Sequence, residues 1–482
     1  MHSKQIFRFI GILVFFLGLS MFCPLLVSMF YHDGAQRALL YSILITSGLG
    51  LCLFLLSREG KGNQLNHRDG VAIVTLGWVA AGLVGALPFF LSGSIANFTD
   101  AYFESISGFT TTGASILTNI EGLPRGVLMW RSITQWFGGM GIIVLSIAIL
   151  PFLGIGGMQL YKAEIPSPVV DKLKPRISDT AKTLWKVYML ITALEIVLLF
   201  IGGMSLYEAV SHTFCTMPTG GFSPKNASIA HYNSSYFDGV IIVFMLLAGI
   251  NFSLHYRLLK GDFSIFGRDP ECRVFLIIAG LFTILVTFNI YGSVYNSLAA
   301  AFRYAAFQVS SILTTTGFVT ADYDVWPSFS RKILLLCMFL GGMAGSTGGG
   351  MKTMRIMLLA KHAYQEIFRI IHPHAITTVK LGGKAVPADI LSSIWGFFVL
   401  YLGLFVISAM IMALLGLDIV SALSSVAACI FNVGPGLGMV GPVKNYLAIP
   451  FLGKWVLIFC MLLGRLEIYT VIVLMMPEFW RK

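Results

Sequence analysis

The stretch Thr314-Thr315-Thr316-Gly317-Phe318 follows a short apolar segment in a chain that is hydrophobic over most of its length. Its first four residues occur once before, as Thr110-Thr111-Thr112-Gly113. A variant, Met217-Pro218-Thr219-Gly220-Gly221-Phe222, lies between the two, and a divergent fourth copy, Asn432-Val433-Gly434-Pro435-Gly436, follows them. Each copy ends an apolar segment too short to cross a bilayer, at 100–110, 206–217, 298–313 and 418–431. Backbone that leaves regular structure at membrane depth is tolerated only where it is buried in protein or lines a water-filled cavity. Four such loops around one axis would supply rings of carbonyl oxygens that replace the water of a dehydrated cation.

The chain has 482 residues, 56% of them hydrophobic and 11% charged. Soluble domains carry about 25% charged residues. Apolar runs of spanning length recur throughout, which predicts an all-α polytopic membrane protein. Ten spans are expected, at 9–30, 39–57, 71–92, 133–157, 185–204, 236–258, 274–291, 332–360, 391–415 and 455–476. The first run is too long for a signal-peptide core and is read as a retained helix. Seven cysteines without paired spacing give neither a disulfide framework nor a zinc pattern.

The net charge of +11 has its explanation in the connections. Lysine and arginine collect in alternate ones: Arg58, Lys61 and Arg68; Lys162, Lys172, Lys174, Arg176 and Lys182; Arg257, Lys260, Arg268 and Arg273; Lys352, Arg355, Lys361, Arg369, Lys380 and Lys384. The intervening connections 93–130, 205–235 and 416–453 are long and poor in both. The alternation puts the basic connections and both termini in the cytoplasm. A nucleic-acid partner is therefore not expected.

The expected organisation is two extra N-terminal helices (1–68), then four pore repeats at 69–165, 166–262, 263–375 and 376–482, each built as helix, short re-entrant helix, loop and helix. Asp100 and Asp418 stand where short helices want an acidic N-terminus. The negative ends of those helices then point toward the membrane centre. Glycine allows successive carbonyls to face one axis, and threonine adds a hydroxyl and a stiff side chain. The turns carry no carboxylate, which suits a monovalent ion better than a divalent one. Glu104, just before the first turn, either contributes to the field at the mouth or serves capping and buried hydrogen bonding.

These loops, with Gly341-Gly342-Met343-Ala344-Gly345-Ser346-Thr347-Gly348-Gly349-Gly350-Met351-Lys352-Thr353 and Gly464-Arg465-Leu466-Glu467, resemble the Trk/Ktr/HKT superfamily of potassium transporters, and most closely its bacterial TrkH/TrkG branch. The resemblance covers essentially the whole chain. It implies a K+ selectivity filter at Thr110, Thr111, Thr112 and Gly113; Thr219, Gly220 and Gly221; Thr314, Thr315, Thr316 and Gly317; and Asn432, Val433 and Gly434. Within it, Thr111, Thr112, Gly220, Thr315, Thr316, Asn432 and Val433 would hold K+. The filter glycines would be Gly113, Gly221, Gly317 and Gly434, with Gly221 chosen over Gly220 because Gly221-Phe222 then aligns with Gly317-Phe318. Glycine at all four positions implies potassium over sodium.

Six glycines between 341 and 350 oppose a continuous eighth helix on propensity, at roughly 1 kcal/mol each relative to alanine. The resemblance assigns this stretch, chiefly Gly345, Ser346, Thr347, Gly348, Gly349, Gly350 and Lys352, to an intramembrane gating loop. It gives Arg465 the role of a charge facing the pore. The residues alone leave Arg465 a second reading, a buried ion pair with Glu195 or Glu467. The resemblance further implies a homodimer in the bacterial inner membrane, docked on a cytosolic nucleotide-binding ring protein of the TrkA type. The nucleotide, ATP/ADP or NAD, would then sit on that partner, and this chain would have no covalent cofactor. The basic connections 158–184 and 352–386 are expected to face that partner or anionic lipid.

Other motifs carry less. Gly345 to Thr353 imitates a phosphate-binding loop, but Met351 stands where its lysine is required. His372-Pro373-His374 with His362 lies in a basic connection and reads as a solvated loop. No nucleophile–base arrangement suggests an enzyme. The alternative to a passive pore is a secondary symporter coupled to H+ or Na+.

Overall fold

The computed structural model describes residues 3–57, 66–153, 177–375 and 377–481. Among them, six helices are long and apolar enough to cross a membrane: Ser3–Tyr31, Gln36–Leu56, Arg68–Leu91, Thr180–Ile201, Pro270–Ile290 and Ala388–Leu414. Arg125–Leu153 adds a helix of 29 residues. The other crossings are interrupted. Ser235–Gly249 and Phe252–Leu259 meet at a bend of 104°. Ser328–Leu340 and Thr353–Ile371 are separated by the glycine-rich stretch, and Phe451–Arg465 is separated from Tyr469–Met475 by a break in which Glu467 has φ +56°. The strands among the described residues are one small hairpin, Lys380–Leu381 paired antiparallel with Lys384–Ala385. The fold is thus the all-α architecture expected. Two spans drawn as continuous, 236–258 and 455–476, are broken. Of the basic connections, Arg58, Lys61, Lys162, Lys172, Lys174 and Arg176 lie outside the described residues.

The four short segments are helices, Phe98–Phe109, Leu206–Thr216, Leu298–Leu313 and Ile419–Ile430. Three begin with a side-chain cap, which satisfies amides the helix itself leaves open. Asn97 accepts from the amide of Thr99, Ser205 from that of Glu208, and Asp418 from those of Val420 and Ser421. Hydrogen bonds from Ser421 hold the Asp418 carboxyl below its usual range. Asp100 is in the first turn, as the sequence suggested, yet Asn97 is the cap. Asp100 instead makes an ion pair with Lys454 at 2.6 Å, and this joins the first short helix to the last crossing.

The N-terminal pair of helices packs through glycine. A Cβ on Gly50 would lie 2.4 Å from the Phe15 nitrogen, and one on Gly18 would lie 2.3 Å from Ser47 Oγ. Small residues of this kind let two helix backbones approach in a membrane. Asp33 then ties the pair to the bundle by accepting from the Gly126 amide at 2.7 Å. Many aliphatic and aromatic side chains face outward along the crossings, among them Phe30, Leu56, Ile201, Ile277 and Leu414. In a bilayer that surface meets lipid.

Lys454 and Asp100 are both nearly buried, at 8% and 12% side-chain exposure. Removing one partner of such a pair leaves an uncompensated charge, at a cost of about 3–5 kcal/mol. Lys454→Met should therefore lower the thermal unfolding temperature of the detergent-solubilised protein, and adding Asp100→Leu should recover most of the loss. An unchanged melting curve for Lys454→Met alone would contradict this account of the pair.

Candidate functional site

Each short helix ends in the same irregular turn. Its backbone amides fold back on the helix that precedes them. In the first, the amides of Thr111, Thr112 and Gly113 donate to the carbonyls of Gly108, Ser107 and Ser107. The corresponding donors are Thr219, Gly220 and Gly221 in the second, Thr315, Thr316 and Gly317 in the third, and Asn432, Val433 and Gly434 in the fourth, each with the same pattern of acceptors. The conformations also repeat. Thr111, Thr219, Thr315 and Asn432 have φ of +54°, +56°, +61° and +55°, and Gly113, Gly221, Gly317 and Gly434 have φ of +80°, +73°, +81° and +95°. The first set are residues with side chains in the left-handed region, which is sparsely populated and held only where the surroundings enforce it.

These turns close into a ring. A Cβ built on Gly113 would fall 2.1 Å from the carbonyl oxygen of Gly220. One on Gly221 would meet that of Thr316 at 1.9 Å, one on Gly317 that of Val433 at 2.1 Å, and one on Gly434 that of Thr112 at 2.5 Å. The first turn touches the second, the second the third, the third the fourth, and the fourth the first. The structure therefore brings together all the residues the sequence singled out in the four loops. It places Gly221, rather than Gly220, in the position equivalent to Gly317.

The hydroxyls of Thr110, Thr112, Thr314 and Thr316 serve the turns themselves. Thr110 Oγ1 lies 2.7 Å from Thr112 Oγ1, and Thr314 Oγ1 lies 2.8 Å from Thr316 Oγ1. Thr110 and Thr314 also donate back to the carbonyls of Ile106 and Ser310. In the fourth turn Asn432 takes over part of this bracing, donating to Thr112 Oγ1 at 2.9 Å and to the Met461 carbonyl at 3.0 Å. The hydroxyls are thus staples, and the carbonyls remain as the oxygens the turns present to one another.

A second layer of side chains holds the ring, and of these only Glu104 was singled out in the sequence. Gln135 donates to the Gly220 carbonyl at 2.6 Å and accepts from the Phe222 amide at 3.0 Å. Tyr446 donates to the Gly434 carbonyl at 2.6 Å. Glu104 is fully buried, pairs with Arg131 at 2.7 Å and accepts from the Ile116 amide and the Ser115 hydroxyl, so of its two readings the structure shows buried bonding. Arg131 in turn donates to the Ser223 carbonyl and stacks over the Phe222 ring at 3.5 Å. The signal for Gln135 and Arg131 was a polar side chain inside an apolar helix, but period and composition do not say which neighbour it serves.

Beneath the ring runs the glycine-rich stretch. Gly349 donates to Thr315 Oγ1 at 2.7 Å and Gly350 to the Phe431 carbonyl at 3.0 Å. Thr347 Oγ1 donates to the Met217 carbonyl at 2.9 Å, and a Cβ on Gly348 would lie 3.0 Å from the Thr314 carbonyl. Gly341, Gly345 and Gly350 have positive φ, so the break is built into the backbone. Ser346 donates to the Met343 carbonyl, and Lys352 folds back to donate to that of Gly348. The bend in the sixth crossing makes room on one side, where Gly249 accepts from the Met343 amide and the Phe252 amide donates to the Gly345 carbonyl. The visible signal for that bend was Gly249-Ile250-Asn251, whose asparagine caps the following helix.

Arg465 closes the arrangement. Its guanidinium donates to the Thr347 carbonyl at 2.9 Å and to the Gly138 carbonyl at 2.6 Å. Gly138 packs against the end of the first short helix, where a Cβ would meet the Phe109 carbonyl at 2.0 Å. The glycine stretch thus touches the second, third and fourth turns directly and reaches the end of the first short helix through Arg465 and Gly138. Of the two acids proposed as its partner, Glu467 pairs with Arg355 at 2.6 Å. Gly464 lets the last crossing come close, since a Cβ there would meet the Ile430 carbonyl at 2.0 Å.

The profile of the TrkH family, described as cation transport proteins, matches residues 37–482. The chain belongs to the TrkH family. It is 44% identical to the Trk system potassium uptake protein TrkH of Escherichia coli (strain K12), over the full length of both chains. It is 36% identical to the Trk system potassium uptake protein TrkG of the same organism, covering all of this chain and 99% of that one. The crystal structure of the potassium transporter TrkH from Vibrio parahaemolyticus superposes with a TM-score of 0.90 at 39% identity and covers both chains completely.

Gly221 has positive φ and the tightest contact in the ring. Gly221→Ala should therefore abolish or severely reduce rubidium uptake by reconstituted protein while leaving membrane insertion and helix content intact. Normal uptake would show that the ring tolerates a spread of the turns.

Proposed function

We propose that this protein is the potassium-conducting subunit of a Trk-type uptake system in a bacterial inner membrane, with both termini in the cytoplasm. The observation that carries this reading is the closed ring of four turns, each glycine seated against the next turn's carbonyl. Thr111, Thr112, Gly220, Thr315, Thr316, Asn432 and Val433 lend backbone oxygens to the ion as it sheds water. The ends of the four short helices add partial negative charge around the same axis. An inward electrical potential drives the ion at about 2.3 kcal/mol per 100 mV.

The glycine stretch and Arg465 form the gate. With Gly349 and Gly350 bonded to the third and fourth turns and Arg465 pinning Thr347 to the first repeat, the route below the ring is crossed by backbone. Conduction requires this stretch to move aside. The protein works as a homodimer, and a cytosolic nucleotide-binding partner of the TrkA type supplies the opening force through the basic connections, 352–386 among them.

Proteoliposomes with a potassium gradient test the conduction mechanism. Currents that reverse at the potassium equilibrium potential, independent of pH and sodium, support passive permeation; a fixed coupling ratio to H+ or Na+ replaces it with symport. Gly113→Ser puts a side chain against the Gly220 carbonyl. It should therefore reduce potassium flux and, in the flux that remains, weaken discrimination against sodium by about tenfold, the ratio that about 1.4 kcal/mol of differential binding sets. Unchanged flux and selectivity would move the filter elsewhere. Arg465→Ala removes two charged hydrogen bonds, each worth about 1.5–3 kcal/mol. It should raise partner-independent flux at least severalfold. A folded variant whose flux stays at the basal level would exclude Arg465 from the gate.

A further inference from the structure

The glycine stretch is also held from the side away from the ring. Glu271, the second residue of the crossing Pro270–Ile290, is almost fully buried, with 3% of its surface exposed. Its Oε1 accepts from the Ala344 amide at 2.8 Å and from the Met354 amide at 3.0 Å. Ala344 stands near the start of the glycine stretch and Met354 just past its end. One carboxylate oxygen therefore ties together the two ends of a loop whose backbone leaves regular structure between them. A buried amide left without its acceptor pays its desolvation cost, so both bonds weigh on the position of the loop.

The same two residues belong to an apolar cluster that reaches the small hairpin. Ala344, Met354 and Leu358 pack with Val379, Leu391 and Ile394, and Leu381 and Val386 lie against them. The hairpin turn sits next to the start of the Glu271 helix, since a Cβ on Gly382 would lie 3.8 Å from the Pro270 ring. The hairpin's other side is open. A cavity of about 550 Å³ runs between residues 377–380 and the helix Thr353–Ile371, with Lys361 and Tyr364 in its wall.

We propose that Glu271 is the latch of the glycine stretch, and that the hairpin at residues 379–386 is the handle through which a force from that face releases it. This rests on the reading of the glycine stretch as the gate. The latch is a positioning device: Glu271 touches the loop's amides and never the ion. Shifting the hairpin would disturb the apolar cluster and the N-terminus of the Glu271 helix together, and both loop ends would lose their shared acceptor in one movement.

Two readouts on full-length protein in proteoliposomes separate the latch from the gate. Hydrogen–deuterium exchange over residues 341–354 reads whether Glu271 holds the loop, and partner-free rubidium flux reads whether the loop is the barrier. Glu271→Ala should speed exchange and raise flux, both by about tenfold or more, the effect of losing two buried hydrogen bonds. Glu271→Gln, which keeps an acceptor oxygen, should fall between Glu271→Ala and the parent in both. Val379→Ala should act in the same direction as Glu271→Ala but more weakly, and it carries the test if Glu271→Ala does not fold. Faster exchange with unchanged flux upholds the latch and removes the glycine stretch as the barrier. Unchanged exchange in Glu271→Ala, or in Glu271→Gln and Val379→Ala where Glu271→Ala does not fold, overturns the latch.

Discussion

The structure depends on one constraint, that non-helical backbone inside a membrane must find every partner within the protein. The four turns meet it by folding their amides back on the short helices that precede them, which leaves carbonyls to be placed. Each carbonyl before a ring glycine then sits against the glycine of the neighbouring turn, at a separation that admits no side chain. Glycine is required there twice over, by positive φ and by contact. A ring assembled in this way is rigid, because moving one turn displaces the next.

Rigidity in the ring is supported by polar groups buried where they are costly unless fully bonded. Glu104 with Arg131 and Asp100 with Lys454 are pairs of this kind, and each joins elements far apart in sequence. Gln135 makes two hydrogen bonds to the second turn, Tyr446 makes one to the fourth, and Asn432 of the fourth turn bonds to the first turn and to the last crossing. Below the ring the same currency of amide and carbonyl is used differently. The glycine stretch bonds to the turns through a few contacts; Arg465 holds its middle at Thr347 and Glu271 its ends at Ala344 and Met354. Such a segment is held by two sets of polar partners, on the ring and on the crossings beside it.

The all-α class, the crossings and the four loops were legible because their signals are local. Spans announce themselves by composition, and Thr-Thr-Gly turns by residue type. The break at 341–350 was legible for the same reason, since glycine density opposes a helix whatever surrounds it. The breaks at Ile250 and Leu466 were not drawn because Gly249-Ile250-Asn251 and Arg465-Leu466-Glu467 interrupt otherwise apolar runs by only a few residues. Asp100 stands in a first turn as read, but its partner was not legible, because the lysine that pairs with its carboxylate lies more than three hundred residues away.

Sequence alone determined that this chain crosses a membrane many times and carries four short segments that end in glycine turns, because apolar length and backbone permissiveness are properties of the residues themselves. Tertiary structure alone decided that those turns form a closed ring, which hydroxyls brace it, and which acid and which arginine hold the glycine stretch. Those are matters of which distant groups arrive within 3 Å of one another, and a buried charge or amide takes whichever partner the packing delivers.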